Sequence, residues 1–235
     1  MYNSGKSSEY NVNLWLNVRH DRNYERINEG IQHLSRVDFL KKVIYQDNDR
    51  VIRVFKNVKE RLAFFLNLFH LIVYFTLCKK EILILPQNFY DWLAFKRNQC
   101  LFKLEDKTIS ALEIEYSILR SSMPYPNFPF DLINFEFPKY SKDKSPMRYR
   151  FILNKEIRCL CFGFSLPFVS SPGLRIYSAE NSTEELNMNA RLYLRNTIEF
   201  DQKNHRLVLP SIIRMFHKDF KIQSEDSFDQ IHMLL

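Results

Sequence analysis

The chain has 235 residues, a formal net charge of +7, 46% hydrophobic and 15% aromatic residues. That length and apolar content allow a packed core without disulfide or metal staples, which excludes a disordered chain and a small cross-linked scaffold. Only four glycines stand beside 21 phenylalanines, and there is neither a G-x-G-x-x-G nor a Walker loop, so no glycine-rich phosphate cradle and no cofactor is expected.

The polar start MYNSGKSSEYNVNL has no apolar signal-peptide core and points to an intracellular, cytoplasmic, reducing setting. Residues 1–20 read as a poorly anchored arm and 21–235 as one domain. RNYERINEGIQHL (22–34) and SRVDFLKKVIYQ (35–46) predict two helices, the second capped near Ser35. Val58–Lys79 predicts a long helix whose centre, AFFLNLFHLIVYFTL (63–77), is the most apolar stretch of the chain. Its apolar run Leu62–Cys78 is 17 residues, the lower limit for crossing about 30 Å of hydrocarbon. Asn67 and His70 lie in the middle of that run, where lipid offers them no partner. Lysines and arginines flank both ends and set no orientation. A helix buried in the core of a soluble domain is expected, with no membrane span.

EILILP is a short apolar segment stopped by Pro86. Residues 87–99 place Phe89, Trp92, Leu93 and Phe95 at helical spacing. CLFKLEDKTIS predicts a hairpin turning around Glu105-Asp106-Lys107. Ser110 precedes Glu113 by three, the spacing of a capping box, and starts a helix through ALEIEYSILR. Residues 121–150 hold Pro124, Pro126, Pro129, Pro138 and Pro146, which rules out a regular helix or a central strand. Tyr125, Phe128, Phe130, Phe135 and Phe137 suggest that this long loop packs down onto the domain. Its basic run, Lys139, Lys142, Lys144, Arg148 and Arg150, reads as a solvated loop and speaks against nucleic acid as a partner. IRCLCFGF (157–164) and LRIYS (174–178) predict two strands, the first buried. Ser182 and Glu185 repeat the capping-box spacing before a helix with Leu186, Ala190, Tyr193, Leu194 and Ile198 on one face. HRLVL predicts a short strand, and PSIIRMFHKDF a helix opening on proline. Without a regular βαβ rhythm the class is α+β: a mostly helical single domain, a small mixed or antiparallel sheet and a long Pro-rich loop.

Four cysteines do not make a disulfide scaffold in a chain of this size. On a strand, Cys159 and Cys161 share a face, but no second Cys/His pair lies at finger-like spacing. They read as small buried hydrophobes, with all four thiols reduced and no metal bound. His33, His205, His217 and His232 read as surface or satisfied residues.

Five segments, in order, resemble the widespread domain of unknown function 547. IQHLSRVDFL resembles its lead-in helix, and ERLAFFLNLFHLIV its helix Leu-Ala-Phe-Trp-Ile-Asn-x-Tyr-Asn. TISALEIEYSILR resembles Tyr-Ser-Leu-x-x-Ile-Glu-His-x-Ile-Leu-Arg. CFGFSLPFVSSPGLRIYS resembles His-Phe-Ala-Leu followed by Ser-Cys-Pro or Ser-Ser-Pro, and LVLPSIIRMFHKDF the closing helix. The match covers roughly residues 25–220. It implies a soluble core helix at 58–79 and a polar site that keeps Asn67, Glu115, Arg120, Ser170 and Ser171. Both of the family's usual histidine positions are lost, since Tyr116 and Cys161 stand there; His70 replaces an asparagine, and Phe69 a tyrosine.

Serine is inert as a nucleophile without a base, and tyrosine, with a reference pKa of about 10, is a poor one. The leading reading is therefore a non-catalytic or degenerate member acting as an interaction or scaffold module with a protein partner. The alternative is a hydrolase or acyl-transfer enzyme with Ser171 as nucleophile and His70 or Glu115 in support. A third is a regulatory domain of a longer chain. Because buried polar groups need partners, Asn67, Glu115, Arg120 and Ser171 are expected to converge in space.

Overall fold

A long apolar helix with no single polar face must be enclosed by other elements, and helix α1 (Val58–Lys79) shows that arrangement in the computed structural model. The model describes residues 55, 57–79, 85–86, 88–104, 107–126, 139–141, 146–167 and 170–220. The expected arm 1–20, the helices at 22–34 and 35–46, most of EILILP, and Phe128, Phe130, Phe135 and Phe137 lie outside these residues. Asn57 caps α1 by accepting the Glu60 N–H at 2.9 Å. Its buried residues, among them Leu62, Ala63, Leu68, Phe69 and Cys78, extend over most of its circumference. The helix is long and apolar enough to cross a membrane by those criteria, yet 67% of its most apolar window is buried inside the protein.

The other elements wrap α1. Helix α2 (Phe89–Asn98) is capped by Asn88, whose Oδ1 accepts the Asp91 N–H. Strands β1 (Leu101–Leu104) and β2 (Lys107–Ser110) form the expected antiparallel hairpin, with Phe102 opposite Ile109. Both of those side chains are buried while Leu101, Lys103 and Thr108 face outward, the alternation that fixes register. The capping box is complete: Glu113 N–H donates to Ser110 Oγ at 3.1 Å, and Glu113 Oε2 accepts the Ser110 N–H at 2.8 Å. It starts α3 (Ala111–Glu113), which widens at once into a π-helical turn, Ile114–Leu119, with every residue buried.

Of the Pro-rich segment, the described parts fasten to the body. Ser121 and Ser122 hydroxyls donate to Leu153 O. Tyr140 and Arg148 both donate to Glu113 Oε1, at 2.8 and 2.6 Å. Arg148, in the short helix α4 (Pro146–Tyr149), is thus an anchor of the loop and not a solvated charge.

Two expected strands are absent. IRCLCFGF is buried, but Leu160–Gly163 forms a 3-10 turn entered through Cys159 at φ 66, in the left-handed region. An apolar run reports burial and not backbone conformation. The tight turn lets Gly163 sit between helices, where a Cβ would lie 3.0 Å from both Leu66 Cδ2 and Leu186 Cδ1. Residues 172–178, containing LRIYS, run without regular secondary structure and pair with no strand.

Helix α5 (Ser182–Thr197) buries Leu186, Ala190, Tyr193 and Leu194 as expected, while Ile198 falls just beyond its end. Its predicted capping box does not form: Asn181 holds the cap position, the Ser182 hydroxyl donates to Lys59 O of α1, and Glu185 binds Ser178. Strands β3 (Glu199–Asp201) and β4 (Arg206–Val208) make a second antiparallel hairpin. Helix α6 (Ser211–Met215) and a 3-10 turn, His217–Phe220, follow. The fold is α+β with two small antiparallel sheets.

Candidate functional site

Asn67, His70 and Tyr74 follow one another at i, i+3 and i+7, so they share one face of α1. That face meets residues of 164–167 and 170–178, which lie outside helices and strands. Backbone that is buried without a ladder partner needs side-chain partners, and this face supplies them. Asn67 closes a two-bond ring on Tyr177, donating to its carbonyl at 2.8 Å and accepting its N–H at 2.9 Å. His70 Nε2 accepts the Ser165 N–H at 3.1 Å. The Tyr74 hydroxyl lies 3.0 Å from Ser165 Oγ. From the other side, Asn189 of α5 donates to Phe162 O at 2.8 Å and to Gly173 O at 3.1 Å, and the Tyr193 hydroxyl donates to Ser170 O at 3.0 Å.

The nucleophile candidate belongs to this same set of backbone supports. Ser171 Oγ accepts the Leu166 N–H at 2.7 Å, and no hydrogen bond joins it to His70. Ser170 is exposed and takes part through its carbonyl. With Nε2 accepting, a neutral His70 carries its proton on Nδ1, which is buried and makes no well-aligned hydrogen bond. Burial pulls its pKa down to about 4, against a small opposing effect of the Gly163 and Arg175 backbone. The ring therefore stays neutral at physiological pH, stacked on Tyr177 with centroids 6.3 Å apart.

The second polar group lies where the π-helical turn meets α2 and the C-terminal turn. Glu115 is buried and paired with buried Lys96 of α2. The Tyr116 hydroxyl also bonds Glu115, and burial first, then the Glu115 charge, pushes its pKa well above the ordinary value. Arg120 binds Asp219 through two bonds of 2.6 and 2.7 Å, donates to Pro124 O, and lies 4.6 Å over the Phe216 ring. Burial opposes the Arg120 charge, but the bond and charge of Asp219 outweigh it and raise its pKa. Cys161 sits close to the same pair; burial, then Asp219, push its thiol pKa well up. The positions occupied by Tyr116 and Cys161 thus adjoin one buried ion pair, and neither group can supply a base near neutral pH.

The expected convergence is therefore divided. Asn67, His70 and Ser171 support residues of 164–167 and 170–178, whereas Glu115 and Arg120 take Lys96 and Asp219 as partners. Phe69 touches both groups: its ring is 5.8 Å from that of His70, and Lys96 Nζ lies 6.0 Å over it. The sequence reading missed Lys96 and Asp219. Lys96 could have been found, because it follows Trp92 by four and so falls on the apolar face of α2. Asp219 carried no such signal, since it follows His217 and Lys218 in a polar segment. All four cysteines are buried thiols outside any disulfide. Among the described residues no group of three or more His, Cys, Asp or Glu is placed to hold a metal ion.

A family model described as "Protein of unknown function, DUF547" matches residues 54–194, a span that contains α1, the π-helical turn, the 162–178 stretch and most of α5. No curated protein and no solved structure matches the chain.

Proposed function

We propose, for a chain that belongs to the DUF547 family of proteins of unknown function, that it is a non-catalytic binding module with a protein partner, working inside the cell. The observation that carries this reading is the hydrogen bond from Ser165 N–H to His70 Nε2. A general base must hold a free lone pair within reach of the nucleophile's proton. Here the lone pair is occupied by backbone, the other nitrogen carries the proton, and Ser171 Oγ is engaged by Leu166. Glu115, the other candidate base, is neutralised by Lys96. Asn67, His70, Glu115, Arg120 and Ser171 thus each hold a structural partner.

The test is a screen of purified protein against activated esters, thioesters and amides, run beside Ser171→Ala. No turnover above the Ser171→Ala variant is expected. Hydrolysis by the native chain that disappears in Ser171→Ala, with the melting temperature unchanged, would establish the hydrolase reading instead.

A further inference from the structure

Among the described residues, those that hold the backbone of 173–177 all bind it along one edge. In extended backbone, the N–H and C=O of alternate residues point to opposite edges. Gly173 O accepts from Asn189, the Arg175 backbone lies against His70, and the Tyr177 N–H and C=O both bind Asn67. These odd-numbered positions face inward. Leu174 and Ile176 therefore present their backbone groups to the outer edge, and neither hydrogen bonds to another described residue. At the next outward position the edge is closed, because Glu185 accepts both the N–H and the hydroxyl of Ser178, at 2.8 and 2.9 Å.

The side chains repeat this division. Leu174 and Ile176 share one face and are 58% and 86% exposed, an exposure that nothing in the core accounts for. Arg175 lies on the other face, with a guanidinium nitrogen 3.7 Å from Met188 Sδ of α5. Met188, Arg191 and Arg195 follow at helical spacing on the exposed side of that helix. Arg191 and Arg195 form no ion pair with a described residue. Among the described residues, the backbone edge at Leu174 and Ile176 is thus unpaired, with an aliphatic face on one side and the face that carries Arg175 on the other.

We propose that this edge docks an extended acidic peptide segment by strand addition. Its backbone pairs with the N–H and C=O of Leu174 and Ile176. Its aliphatic side chains, at alternate positions, lie with Leu174 and Ile176, and the carboxylates between them meet Arg175, Arg191 and Arg195. A lipid surface fits less well, since it would leave the same four backbone groups unpaired in hydrocarbon. The assignment rests on the reading of the chain as a binding module and names the partner's chemistry.

The probe is a short fluorescent peptide of alternating valine and glutamate, titrated into the full chain beside its valine–lysine counterpart. Saturable binding of the glutamate peptide alone is expected. Ile176→Asp should weaken it by about tenfold or more, and Arg191→Glu with Arg195→Glu should weaken it and flatten its salt dependence. These side chains are exposed, so the denaturation midpoints should stay at the native value and separate lost binding from lost folding. No saturable binding at millimolar peptide, or equal binding of the lysine peptide, overturns the proposal. So does sedimentation with phosphatidylserine vesicles that the same variants abolish. Failure here with no Ser171-dependent hydrolysis leaves the binding-module reading intact, whereas that hydrolysis removes the module reading itself.

Discussion

A carboxamide carries a donor and an acceptor side by side, the same pair that an extended residue offers along one edge. Asn67 uses this match to hold Tyr177 as a neighbouring strand would. His70 does related work with one acceptor, and its titration makes the work measurable. Its folded pKa of about 4 lies below the unfolded value of 6.5. The neutral ring therefore contributes stability that is present in full above pH 6.5 and is lost as pH falls toward 4. The shift corresponds to about 3 kcal/mol. Urea denaturation from pH 7 to 4 should show this loss in the native chain and a smaller one in His70→Gln, which keeps a polar side chain without a titrating group. Parallel curves for the two proteins would contradict the assignment. The Lys96–Glu115 pair should behave differently. Removing one partner leaves a buried charge, so Lys96→Met should cost about 3–5 kcal/mol. Lys96→Met combined with Glu115→Met should recover most of that loss, because no orphaned charge remains. A double variant as unstable as the sum of the two singles would show that the ions stabilise by more than neutralising each other.

At the scale of elements, helix ends were legible where the capping partners are local. Ser110 and Glu113 are three residues apart, and the box they form needs nothing from the rest of the chain. The same spacing at Ser182 and Glu185 failed because both side chains found distant partners, Lys59 O and Ser178. IRCLCFGF was read correctly as buried and wrongly as a strand for a related reason. Its path is set by the approach of α1 to α5, which Gly163 permits by lacking a Cβ. Gly163→Ala should therefore destabilise the fold by about 1–3 kcal/mol through overpacking against Leu66 and Leu186. Adding Leu186→Val should recover part of the loss in thermal denaturation if the clash is with that side chain. No effect of Gly163→Ala would mean that the two helices separate freely.

For the whole molecule, the placement of α1 decides how the chain meets solvent. A helix of this length and apolarity is compatible with either bilayer or core, and its burial by the surrounding elements supports the core. Expression without detergent should give monodisperse protein in the soluble fraction, and recovery confined to the membrane fraction would overturn that expectation. The sequence by itself determined the α+β class, the extent of α1 and α2, the first hairpin and the burial of IRCLCFGF. Each follows from spacing within a few residues, where apolar periodicity and caps act. It also marked Asn67 and Glu115 as polar groups in apolar surroundings, which must be satisfied, and the resemblance added Arg120. Which partners satisfy them was decided only by tertiary structure. Lys96 reaches Glu115 from α2, Asp219 reaches Arg120 across 99 residues, and Tyr177 reaches Asn67 across 110. A hydrogen bond depends on position in space, and a one-dimensional pattern records the need for a partner without recording where the fold will place one.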